Sequence, residues 1–72
     1  MNFGTNINKR HGGPYDRGSA DAYYQRPFKP HYYKGDTGSS ELVTEDDMTD
    51  TEILEYNTGF IEQVASGEFK EW

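Results

Sequence analysis

The clearest periodicity in the chain lies near its C-terminal end. Ile53, Tyr56, Asn57, Phe60, Ile61 and Val64 fall on one helical stripe, while Glu52, Glu55 and Glu62 lie off it. Thr49-Asp50-Thr51-Glu52 in front of the stripe is a capping box, in which hydroxyl and carboxylate serve each other's backbone amides. Met48 before the cap and Ile53 at the fourth helical position add a hydrophobic staple. Ser66-Gly67 ends the pattern, with Gly67 suited to a left-handed cap. The pattern predicts a helix over about 50–65. Gly59 inside it costs about 1 kcal/mol against alanine, and close contact with another backbone is one reason to keep it.

A shorter helix is expected over about 17–25. Asp16 offers an N-cap, Ala20, Tyr23 and Tyr24 recur at helical spacing, and Pro27 biases Arg26 away from helical angles. Pro27 and Pro30 hold the following stretch out of a helix, so residues 27–34 read as an extended Pro/aromatic strap. Gly35 to Ser40 is turn-rich and Glu41 to Asp47 is acidic, together a linker over 35–47. Residues 1–15 show no hydrophobic period, and 1–12 read as a flexible arm.

The expected fold class is therefore mostly α, one small domain over 1–72. Composition leaves room for little more. Leu, Ile, Val and Phe make up about 15% of the 72 residues, a thin supply for a core that in a chain this short supplies about 3–5 kcal/mol. Without cysteine there is no disulfide and no thiolate zinc site. Aromatic rings must then be core, and the strap is expected to lie across Ile53, Tyr56, Phe60, Ile61 and Val64.

Charge divides the chain. From Met1 to Lys34 six Lys/Arg face two acids, whereas from Gly35 to Trp72 one Lys faces eleven acids. The basic half also carries seven of the eleven aromatics. Arg17, Arg26 or Lys29 is accordingly expected to meet Asp50, Glu52 or Glu55, docking one half on the other. An outward basic-aromatic surface has a second use, since cations neutralise phosphates while rings stack on unpaired bases. The candidate partner-binding residues are Arg17, Tyr23, Tyr24, Arg26, Lys29, His31, Tyr32, Tyr33 and Lys34. The run Asp46, Asp47, Asp50, Glu52 and Glu55 allows nucleic-acid mimicry, but acids in a first helical turn are ordinary by the dipole argument.

Chemistry-bearing motifs are sparse. Gly-x-Ser-x-Gly and the phosphate-binding Walker loop are absent, and His11 and His31 lack metal-ligand spacing. No enzyme activity, cofactor or metal is expected. With no apolar run after Lys9-Arg10 and no long apolar segment, neither a signal peptide nor a membrane span is expected, which points to the cytoplasm.

The string Arg17-Gly18-Ser19-Ala20-Asp21-Ala22-Tyr23-Tyr24 is followed by Arg26-Pro27 and Pro30-His31-Tyr32-Tyr33. With Glu52-Ile53 and Tyr56-Asn57-Thr58-Gly59-Phe60, it resembles small accessory proteins of T-even-type tailed bacteriophages, of the modifier-of-suppressor-tRNAs type. The likeness spans about 14–62. It implies a non-enzymatic influence on phage or host tRNA function inside the bacterial host, through a protein or RNA partner, with no catalytic residues to carry over. A fainter likeness is to ribosome modulation factors, through Arg17-Gly18, Ala20, Arg26, Pro30 and Gly59-Phe60. That family is basic throughout, whereas the second half here is acidic. The alternative reading is an acidic inhibitor that presents this half to a basic host protein.

Overall fold

The computed structural model describes residues 8–35 and 41–71. In chain order these form α1 (Pro14–Tyr23), β1 (His31–Tyr33), β2 (Leu42–Thr44), a 3-10 turn (Glu45–Asp47) and α2 (Asp50–Ser66). The domain is small and mostly α, as the periodicity predicts.

α2 follows its signals closely. Thr49 Oγ1 accepts from the Glu52 amide at 3.1 Å, and Glu52 Oε1 accepts from the Thr49 amide at 2.9 Å. Gly67 closes the helix at φ 75°, its amide donating to the Val64 carbonyl. α1 begins earlier than expected, because Pro14 has a ring already set for a first helical position. Asp16 is thus inside the first turn rather than at the cap, and accepts from the Gly12 amide at 3.0 Å. The helix also stops earlier, at Tyr23. Arg26 N donates to Asp21 O and Gln25 N to Ala22 O, a Schellman pair with Gln25 at φ 59° where glycine is usual.

The two helices cross backbone to backbone. A Cβ on Gly18 would fall 2.0 Å from the Tyr56 carbonyl oxygen, and one on Gly59 would fall 2.2 Å from that of Tyr15. The backbone contact anticipated at Gly59 is therefore real, and Gly18 is its counterpart. This crossing sets which face of α2 is covered. Ile61 lies about 140° around the helix from Tyr56, so α1 cannot reach it. Ile61 is 56% exposed and Val64 48%, contrary to the expected full stripe. The strap covers only part of that stripe: Phe28 meets Tyr56 and Phe60 edge-on, with ring centroids 5.2 and 5.1 Å away.

Beyond the strap the chain makes an antiparallel hairpin, with Tyr32 opposite Val43. Tyr32 and Val43 turn inward onto Met48, Ile53, Tyr56 and Phe60, which form the core. Part of the expected 35–47 linker is therefore strand and 3-10 turn; 36–40 lies outside the described residues. The expected arm is also shorter than 1–12. Residues 1–7 lie outside the described set, whereas Gly12 is buried and its carbonyl accepts from the Tyr33 amide at 2.7 Å.

Charge does not join the halves as expected. Arg17 lies 3.9 Å from Asp16 and Arg26 lies 3.2 Å from Asp21, both within the basic half. Among the described residues, none of Arg17, Arg26 and Lys29 pairs with Asp50, Glu52 or Glu55. Apart from the exposed Lys34–Glu41 pair, tyrosine hydroxyls span the halves instead: Tyr15 donates to Glu62 and Tyr56 to Asp21, and Tyr32 faces the Glu52 carboxylate. A neutral donor needs no compensating charge and carries less desolvation cost into a partly buried seam than a cation does.

These bonds make the fold sensitive to alkali. Burial first and the Asp21 bond second push the Tyr56 hydroxyl far above its ordinary value of 10.0. The Glu62 bond, then burial, raises Tyr15; the Glu52 bond, then burial, raises Tyr32. Between the ordinary and raised values the folded chain holds more protons than the unfolded chain, so stability falls as pH rises. The contribution is fully present below about pH 10 and fades above it. Thermal melting followed from pH 7 to 11 should show a steady loss beginning near pH 10, shallower in Tyr56→Phe. A flat profile would contradict these bonds.

Candidate binding surface

The centre of the molecule is a polar knot built on Tyr56. Its ring is 0% exposed, and α1 brings Asp21, 3% exposed, beneath its hydroxyl. That hydroxyl donates to Asp21 Oδ2 and accepts from the Lys29 amide at 3.1 Å. Arg26 Nη1 donates to Asp21 Oδ1 at 3.2 Å. His31 Nδ1–H donates to the Lys29 carbonyl at 2.9 Å and lies 3.7 Å from Asp21 Oδ2. Every polar atom of Tyr56 and Asp21 is thus engaged inside the fold. Their role is to hold the strap, and with it Arg26 and His31, against α2.

Two surfaces result. One is a ridge at the end of α1 and along the strap: Tyr23 and Tyr24 pack edge to face at 5.0 Å, Arg26 lies 4.8 Å over the Tyr24 ring, and Phe28 further along the strap is 48% exposed. The other is a groove of about 470 Å³ over the outer face of the hairpin. His31, Tyr33, Leu42 and Thr44 form its floor, Lys29 and Pro30 one side, and Glu45 and Asp46 the other.

The nine residues expected to contact a partner divide accordingly. Tyr23, Tyr24, Arg26 and Lys29 are exposed on or beside the ridge, and His31 and Tyr33 line the groove. Arg17 is not outward. Its side chain is 13% exposed and lies 5.9 Å over the Tyr33 ring, because α1 turns it toward the hairpin. Tyr32 belongs to the core, and Lys34 lies 3.5 Å from Glu41 across the hairpin.

The cations of the basic half are largely engaged at home. Arg10 donates to the carbonyls of Tyr33 and Gly35 at 2.6 and 3.2 Å, and Lys9 sits 5.0 Å over the Tyr15 ring. Lys29 is the exposed cation of the strap with no ion pair or ring contact among the described residues. Sequence reasoning missed Asp21 as a buried acceptor and missed Leu42, Glu45 and Asp46 as groove residues. One signal for Asp21 was available: it lies three residues after Gly18, on the same face of α1.

No protein-family model, curated protein or solved structure matches this chain. Among the described residues no helix is long and apolar enough to cross a membrane.

Proposed function

We propose that this chain is a non-enzymatic accessory protein that binds a protein of translation or tRNA handling in a phage-infected bacterium, the setting the resemblance implies. The observation that carries a protein partner rather than RNA is the fate of the cations. Arg10 and Arg17 turn into the hairpin seam, Arg26 is paired with buried Asp21 and Lys34 with Glu41, so much of the positive charge of the basic half is already countered at home and less is left to neutralise phosphates. What faces outward is an aromatic ridge of the kind enriched at protein interfaces. A second reading, the acidic inhibitor of a host protein, is favoured by the exposed run Glu41, Glu45, Asp46, Asp47 and Asp50 beside the groove.

Affinity capture from infected bacterial lysate, with and without nuclease, tests this. A stoichiometric protein that survives nuclease is the expected result; recovery of tRNA alone, lost on nuclease, would overturn it. Surface variants then separate the two readings. Lys29→Glu with Tyr24→Ala should abolish capture through the ridge and spare capture through the acidic run. Arg26 is unsuitable for charge reversal, because a carboxylate there would face buried Asp21.

A further inference from the structure

The hairpin has one closed edge and one open edge. Lys34 N donates to Glu41 O, so in this register the 34/41 and 32/43 pairs are the hydrogen-bonded ones. Tyr33 therefore points its backbone away from β2, where Gly12 O and the Arg10 guanidinium occupy it. By the same alternation Leu42 and Thr44 point their backbone groups away from β1. The amide and carbonyl of Leu42 and the amide of Thr44 have no partner among the described residues. The 3-10 turn starting at Glu45 ends the open edge there. Leu42 stands 48% exposed on the floor of the groove beside this edge.

Resting on the reading of the chain as a protein-binding module, we propose that β2 receives an extended segment of a partner protein as a third, antiparallel strand. The segment carries Lys or Arg at two positions four residues apart, with apolar residues just inside each. Charge selects this occupant. Antiparallel pairing brings one basic residue beside Glu41, which stays 72% exposed next to its partner Lys34, and carries the other past Thr44 toward Glu45 at the start of the 3-10 turn, where Asp46 and Asp47 add to the field. Charge also disfavours a second copy in the register centred on Val43, where self-pairing would set Glu41 against Glu45 twice. The apolar positions of the segment share the outer face with Leu42 and Thr44 and so fill the groove. The ladder offers three hydrogen bonds: two exchanged with Leu42, and one from the Thr44 amide.

The probe is acetyl-Lys-Val-Thr-Val-Lys-amide, titrated into the intact chain and followed by amide chemical shifts. The largest shifts are expected at Leu42 and Thr44. N-methylation of the fourth peptide residue, whose amide would donate to Leu42 O, should weaken binding roughly tenfold, as loss of one hydrogen bond would. N-methylation of the third, whose amide faces away, should change little. The Glu-Val-Thr-Val-Glu peptide should not bind, and Glu41→Lys with Glu45→Lys should reverse the preference. Leu42→Pro removes the edge amide at a position where proline is tolerated, and should abolish binding. No binding, equal loss from both methylations, or shifts centred on α2 would overturn the proposal. If a protein is still captured from lysate after any of those results, this inference falls alone; if capture fails as well, the binding-module reading falls with it.

Discussion

Gly59→Ala is expected to unfold much of the protein, although alanine is the better helix former. In isolation the substitution favours a helix by about 1 kcal/mol. In the folded chain the new methyl would sit 2.2 Å from the Tyr15 carbonyl oxygen, and that oxygen belongs to backbone that cannot step aside alone. Forcing the helices apart costs about 3 kcal/mol by the usual scale of overpacking, and it also loosens the contacts around Tyr56. A core that supplies about 3–5 kcal/mol cannot absorb that loss. Thermal melting should fall by more than about 10 °C, at several degrees per kcal/mol for a domain of this size. Gly18→Ala should do the same through the Tyr56 carbonyl oxygen, 2.0 Å from its new methyl. The sign reverses in a peptide of residues 49–67, where Gly59→Ala should raise helicity. Stabilisation of the intact chain by either substitution would mean the helices do not cross at these glycines.

The second large effect belongs to the knot beneath Tyr56. Asp21→Ala removes the acceptor for the Tyr56 hydroxyl and the partner of Arg26, leaving a buried hydroxyl unsatisfied. That is expected to cost about 3 kcal/mol. Tyr56→Phe keeps the ring but takes a hydrogen bond from Asp21 and another from the Lys29 amide, for about 2 kcal/mol. Because both residues belong to one network, the double variant should lose about 1–2 kcal/mol less than the two losses added together. Urea unfolding of the four proteins measures this directly. Simple additivity would show that the hydroxyl and the carboxylate do not meet.

The parts of this fold visible in the sequence are those set by neighbours along the chain. The capping box, the Gly67 terminus and the stripe through Tyr56 are local, and α2 appears where they place it. Gly59 was legible because a glycine inside a good helix needs a reason. The hairpin was not, because three-residue strands carry no usable alternation. β1 is defined by what touches it, Gly12 on one side and Val43 on the other. The prolines at 27 and 30 made the whole stretch read as a strap, and the acids around β2 read as loop.

Charge misled in a more instructive way. The division of the chain into a basic and an acidic half is real, but sequence cannot say which way a cation points. Arg10 and Arg17 carry their charge into the hairpin seam, while the bonds between the halves are made by Tyr15 to Glu62 and Tyr56 to Asp21, outside the set of acids expected to meet lysine and arginine. Of the candidate surface, Tyr23, Tyr24, Arg26 and Lys29 were legible as a cluster. The groove was not, since its acidic side, Glu45 and Asp46, is fifteen or more residues from Lys29 and Pro30 on the other.

α1 and α2 fold as one unit through the Gly18–Gly59 crossing. Native-state amide hydrogen exchange tests that most directly. The slowest amides of 17–24 and of 53–64 should share one opening free energy equal to that of global unfolding, and Gly59→Ala should lower both together. Protection confined to 53–64, with α1 exchanging freely, would show a lone capped helix with the basic half loose beside it, and would contradict the account.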